Sequence, residues 1–227
     1  MSTPLTRTAA SDAVEQIGWR YLLGAYETSV AVGNLAEAAR VGACAAAACG
    51  AEADRHLHID LNADRVDLTL LDASASAVTA RDVELAFGIT DSVRDLGFDT
   101  TASPAGLRPV QALEIAIDAI DIAAIRPFWK AALAYVDEPG KDGPHDALVD
   151  PHRSGPALWF QQMDEPRPQR NRIHFDITVA HDEADARIAA ALAAGGTLVS
   201  DDEARAFWIL ADVEGNEICV CTWQDRD

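Results

Sequence analysis

The chain has 227 residues, 49% hydrophobic and 24% charged, enough apolar side chain for a packed core and too much for a disordered polymer. Lys and Arg number 18 against 37 Asp and Glu, a formal net charge of −19, which argues against a nucleic-acid partner and a polybasic membrane anchor. No run approaches the roughly 20 apolar residues of a bilayer span, and Met1 to Ala10 lacks a basic stretch followed by an apolar one, so a cytoplasmic protein is expected.

In chain order, a short helix is expected over Ser11 to Ile17. Trp19 to Val32, rich in aromatic and β-branched residues, reads as strands. Asn34 caps a helix that runs to about Cys49 and stops at Gly50. That helix, LAEAARVGACAAAAC, is small and apolar almost all round, which suits packing against a sheet. His56 to Leu61 and Arg65 to Leu71 alternate around Asn62-Ala63-Asp64 and predict a hairpin. Thr79-Ala80-Arg81-Asp82 opens a helix as a capping box, and its apolar stripe runs to near Gly97. Thr100 to Pro109, TTASPAGLRP, has two prolines, a glycine and no apolar period, and is expected to be a linker.

The second half repeats itself. Val110 to Asp118 reads as a strand, Ile122 to Leu133 as a helix, and Ala147 to Val149 and Ala157 to Gln162 as strands. The pattern restarts with a strand over Asn171 to Val179 and a helix over Glu183 to Ala194. Strands over Thr197 to Ser200, Phe207 to Ala211 and Glu217 to Thr222 follow. Two βαβββ units of this kind, with one short strand of the first left unplaced, imply a duplication and sheets that curve around a cup. The fold class is therefore α+β in two domains, 1–103 and 108–227. The four cysteines, Cys44, Cys49, Cys219 and Cys221, form no CxxC pair and are expected as reduced, mostly buried thiols.

Three ordered blocks carry a resemblance over about residues 108 to 224. They are Asp121 with Phe128-Trp129, then Asn171-Arg172-Ile173-His174-Phe175-Asp176, then Ala211-Asp212-Val213-Glu214-Gly215-Asn216-Glu217-Ile218-Cys219. This half resembles the glyoxalase-like domains of the vicinal oxygen chelate superfamily. The resemblance places the metal-ligand positions of that fold on Glu114, Gln161, His174 and Cys219. These residues either hold a divalent ion or line a cup that takes an organic ligand directly. Trp129, Trp159 and Trp208 are expected to wall the cup, with Trp129 and Trp208 binding substrate.

The first half, over about residues 11 to 103, resembles pterin-4a-carbinolamine dehydratases. The matching pieces are Arg55-His56-Leu57-His58-Ile59-Asp60-Leu61, the strand Arg65 to Leu70, and Thr79 to Ala86. Where that family carries His-His-Pro, this chain has Arg55-His56-Leu57, and Ala73 stands at the place of a further histidine. One of three histidines, His56, remains, and Asp82 matches the helix-start aspartate. The resemblance makes His56 and Asp82 the catalytic pair, with Arg55 and His58 available to a substrate. His58 and Asp60 are expected to share a strand face with His56.

Three functions stay open. One is an enzyme of small-molecule metabolism working through the cup, by a metal-assisted isomerisation, lyase step or oxygenation. The second is a 4a-hydroxytetrahydrobiopterin dehydratase. The third is a non-catalytic binder that sequesters an aromatic or pterin-like ligand. A homodimer is expected, because the Asn34 to Cys49 helix has little polar surface to show water.

Overall fold

The computed structural model describes residues 3–166, 174–222 and 224–225. The chain divides into two compact units, Met1–Ala112 and Leu113–Asp227. Among the described residues, no helix is long and apolar enough to cross a membrane.

The first unit opens with α1 (Arg7–Val14), earlier than expected because the Thr6 side chain accepts from Ala9 N–H and caps it there. A 3-10 turn, Glu15–Ile17, ends at Gly18 in the left-handed region, φ 82°. The next elements are β1 (Arg20–Leu22), β2 (Ala25–Ala31), α2 (Leu35–Cys49) and the one-turn helix α3 (Ala53–His56). After them come β3 (Leu57–Leu61), β4 (Arg65–Leu70), α4 (Ala80–Asp95) and β5 (Thr100–Thr101). The sheet runs β1-β2-β4-β3, and β5 pairs with β2. Alternation does the sorting: Val66, Leu68 and Leu70 of β4 are buried, and they join Val41 and Ala45 of α2 and Leu85, Ile89 and Val93 of α4 in one core. The opposite face carries Glu27, Ser29, Asp67, Thr69 and His58, read from the strand registers.

Thr100 to Pro109 is not a linker. β5 continues the edge of β2 that β1 covers only as far as Glu27. The Thr100 hydroxyl donates to the Ile17 carbonyl at 2.8 Å, and Val110 N–H bonds Ala102 O at 2.9 Å. Two β-branched threonines pair as a strand in spite of the prolines and glycine that follow. The segment then runs back along the polar face, where Leu107, Arg108 and Val110 border a cavity of about 340 Å³ with Glu27, Arg65 and Asp67.

The second unit holds β6 (Glu114–Ala119), α5 (Ile122–Leu133), β7 (Val136–Asp137), β8 (Leu148–Val149) and β9 (Ala157–Gln162). It continues with β10 (Phe175–Thr178), α6 (Ala184–Ala193), β11 (Thr197–Ser200), β12 (Phe207–Ala211) and β13 (Glu217–Cys221). Its two sheets run β6-β9-β8-β7 and β10-β13-β12-β11, and each places its first strand parallel to its last. This is the expected βαβββ pair. Two boundaries differ. The first strand starts at Glu114 rather than Val110, because Val110 is tied to Ala102. Asn171, Arg172 and Ile173 of the expected strand lie outside the described residues, and β10 is seen from Phe175.

Each half closes the loop before its last strand on an aspartate. Asp212 accepts from the backbone N–H of Glu214 and Asn216, from Asn216 Nδ2, and from Trp129 Nε1 at 2.9 Å. Asp150 accepts from the backbone N–H of His152, Ser154 and Gly155. The duplication read in the sequence therefore extends to the turns.

Candidate functional site

In the first unit the expected pair is in contact. His56 Nδ1 lies 2.7 Å from Asp82 Oδ1, and Asp82 Oδ2 accepts from the Thr79 backbone N–H and hydroxyl, both at 2.8 Å. His56 ends α3 and Asp82 sits in the first turn of α4, so the capping box also fixes the histidine partner. The pair is enclosed: His56 is 4% exposed and Asp82 0%.

The other expected residues of this site do not join it. Arg55 is committed to Asp72, with Nε on Oδ1 at 3.0 Å and the guanidinium on Oδ2 at 2.5 Å, and also reaches the Ser74 hydroxyl. Its hydrogen bond, together with those from Ser74, holds the Asp72 carboxyl well below the usual carboxylate range in spite of burial. His58 does not share a face with His56. β3 begins at Leu57, so His56 belongs to the helical turn before the strand, and His58 pairs with Thr69 on the face away from the helices.

In the second unit the expected four-residue set is split. His174, Asp176 and Cys219 place their ligand atoms within 4.8 Å of one another. His174 Nε2 is 3.4 Å from Asp176 Oδ1, and Asp176 is directly across from Cys219 in the β10–β13 ladder. His174 and Asp176 are exposed and Cys219 is buried. Burial, then a hydrogen bond to Asp176, pushes the Cys219 thiol up to about 12. Glu114 is not part of this cluster. Glu114 is exposed, so no buried counter-charge is required for it. Gln161 pairs with Asp118, and its side-chain amide donates to Gln162 O at 3.2 Å.

The ladder registers give the reason. The positions equivalent to His174, Asp176 and Cys219 in the first sheet are Glu114, Ala116 and Trp159. Alanine offers no donor atom and the indole no lone pair, so only the second sheet can build the cluster. Asp176 was missed although it stands in the NRIHFD block. The signal was the His-x-Asp spacing, which puts both side chains on one strand face opposite Cys219.

The tryptophans divide the same way. Trp129 is 1% exposed, stacks edge-on to Phe128 and Phe175 and donates to Asp212, so it is core rather than a ligand wall. Trp208 pairs with Val220 on the core side of its sheet and packs against the hydrophobic cluster. Trp159, 37% exposed, lies on the same face of β9 as Gln161.

Residues 114–221 match the family described as a glyoxalase-like domain, so the second unit carries a domain of that kind. Similar solved structures include a glyoxalase/bleomycin resistance protein/dioxygenase family enzyme from Burkholderia phytofirmans, 18% identical, covering 48% of this chain and 95% of that one, TM-score 0.38. A fosfomycin resistance protein from Mesorhizobium loti is 8% identical over 49% of this chain and 91% of that one, TM-score 0.39. A transcriptional coactivator/pterin dehydratase from Brucella melitensis is 25% identical over 40% of this chain and 98% of that one, TM-score 0.36. A search of curated proteins returned no match.

Proposed function

We propose that the second unit is the working half of the chain and handles a small organic molecule on the sheet face that carries His174, Asp176 and Cys219. The observation that carries this reading is the convergence of three different donor atoms within 4.8 Å. An imidazole, a carboxylate and a thiol suit a divalent ion of borderline softness, zinc first, and three protein ligands leave a position for substrate. A bound ion would supply Lewis acidity toward a carbonyl or a water at that position.

The residues also have roles of their own. The exposed His174 can take or give a proton at Nε2, and Asp176 lies within reach to orient it. Trp159 offers an aromatic surface in the equivalent place of the neighbouring sheet. Because the Cys219 thiol is pushed up to about 12, it keeps its proton at neutral pH, and ion binding must release that proton. Zinc affinity is therefore expected to rise with pH.

The first unit is read as a dehydratase-like fold without the dehydratase set. Dehydration of a carbinolamine needs a general acid and a general base, each worth roughly 10²–10⁴-fold. Arg55 stays protonated and is engaged with Asp72, Ala73 carries no proton, and His56 is enclosed against Asp82.

The test is zinc titration by calorimetry on protein purified without a histidine tag. One ion per chain is expected, weakened about tenfold or more by Cys219→Ser and by His174→Ala. Equal affinity in the wild type and both variants, or no binding, would remove the metal from the proposal.

A further inference from the structure

The two halves of the second unit are not filled equally. Counted from the first residue of each helix, Ile122 in α5 and Ala184 in α6, Trp129 corresponds to Ala191 and Ile125 to Arg187. The burial patterns keep the same step, since Ile122, Ala184, Trp129 and Ala191 are all buried. In one half the indole of Trp129 fills the space beside the Asp212 loop and bonds its carboxylate. In the other half an alanine stands at that helix position. Beside the equivalent Asp150 loop there is a cavity of about 600 Å³.

That volume falls within the roughly 300–1,000 Å³ of small-molecule pockets. The walls are mostly apolar, with Ile115, Leu158, Phe175 and Ile177 facing in from the two sheets. Three charged residues border it: Asp150, Asp176 and Arg187. A carboxylate has about four acceptor sites. Asp212 has four donors, the indole among them. Asp150 has three, all from backbone, which leaves one acceptor site where its counterpart meets Trp129. Asp176 is occupied by His174 and Cys219. Arg187 spends one N–H on the Ala132 carbonyl, at 3.1 Å, and a guanidinium carries five. The cavity thus presents one unmet acceptor and one largely unspent cation between apolar walls.

We propose that this cavity is a ligand site for a flat heteroaromatic N–H donor bearing a carboxylate, an indole acid in its simplest form. The ring takes the space that an indole fills in the other half, its N–H donates to Asp150, and its carboxylate meets Arg187. The site adjoins the His174 face through β10, since Asp176 borders both.

The experiment is calorimetric titration of the full chain with indole-3-acetate, 1-methylindole-3-acetate and 3-methylindole. The wild type is expected to bind indole-3-acetate. Loss of the N–H or of the carboxylate should weaken binding by roughly tenfold or more. Arg187→Gln should reduce the affinity for the acid to that of 3-methylindole while leaving 3-methylindole unchanged, with thermal unfolding confirming that the variant is folded. No binding of indole-3-acetate at millimolar concentration, equal affinity for all three compounds, or an unchanged affinity in Arg187→Gln would each overturn the assignment.

Discussion

Arg55 stands where the dehydratase resemblance places a histidine, and its partner Asp72 shows what the exchange does. Here Arg55 makes a bidentate ion pair with a carboxylate that is 1% exposed. The Asp72 carboxyl titrates below its unfolded value near 4 because Arg55 and Ser74 hydrogen-bond its charged form. The pair therefore contributes in full above about pH 4 and is lost as pH falls through the lower folded value. Arg55→Gln should lower the unfolding temperature at pH 7, and the gap to the wild type should narrow steadily as the pH is brought toward 2. Thermal melts across that range check it, and a gap independent of pH would contradict the assignment. For His56 the expected result is catalytic silence. Turnover of a pterin carbinolamine in the usual range of about 1–10³ s⁻¹, abolished by His56→Ala, would show that one histidine suffices. The capping box places Asp82 at a helix start and the resemblance singles out His56, but that the two meet is a finding of the fold. The engagement of Arg55 was not legible either, since nothing in its neighbours points to a partner 17 positions along the chain.

Among the elements, α5 and the Asp212 loop depend on each other. Glu214 accepts from Ile120 N–H and Asp121 N–H at the start of α5, and Trp129 of α5 donates back to Asp212. Trp129→Phe keeps most of the apolar volume but leaves a buried carboxylate one donor short, at a cost of about 1–3 kcal/mol. Chemical denaturation followed on the second unit measures it, and a loss near zero would mean that water replaces the indole. In the first unit, a Cβ on Gly18 would lie 2.1 Å from the Thr100 carbonyl oxygen, and its φ of 82° disfavours any side chain. Gly18→Ala should therefore cost more than the roughly 1 kcal/mol of an ordinary glycine replacement, by prying β5 from the edge. The βαβββ pair was readable because its strands alternate and its helices carry a 3.6-residue stripe. β5 was not, because two threonines beside proline and glycine look locally like a turn, and only the open edge of β2 makes them a strand. The cluster of His174, Asp176 and Cys219 was half readable for the same kind of reason. Strand phase puts His174 and Cys219 on one face, but the sheet register decides which neighbours stand across from them, and register is set by partners distant in sequence.

At the scale of the whole molecule, α2 presents Leu35, 57% exposed, with Ala39 and Ala43 also outward. Such a face and the net charge of −19 pull in opposite directions: apolar surface favours association, and like charge opposes it more at low salt. Self-association is expected to win at physiological ionic strength. Light scattering at micromolar concentration should give a mass near twice 24.2 kDa, falling as salt is withdrawn. A 24.2 kDa particle at every salt concentration would refute it.

The return of residues 102–111 across the first sheet bears on how such a chain can be inherited. The stretch that looks most expendable, proline and glycine between two halves, is the cover of a polar face on which the Ser29 hydroxyl, 1% exposed, bonds Asp67 at 2.8 Å. A recombination event that trades the second half for another domain must carry its breakpoint past Gln111. A breakpoint at Ser103 would hand the new gene a first half whose polar face lacks the residues that border it here.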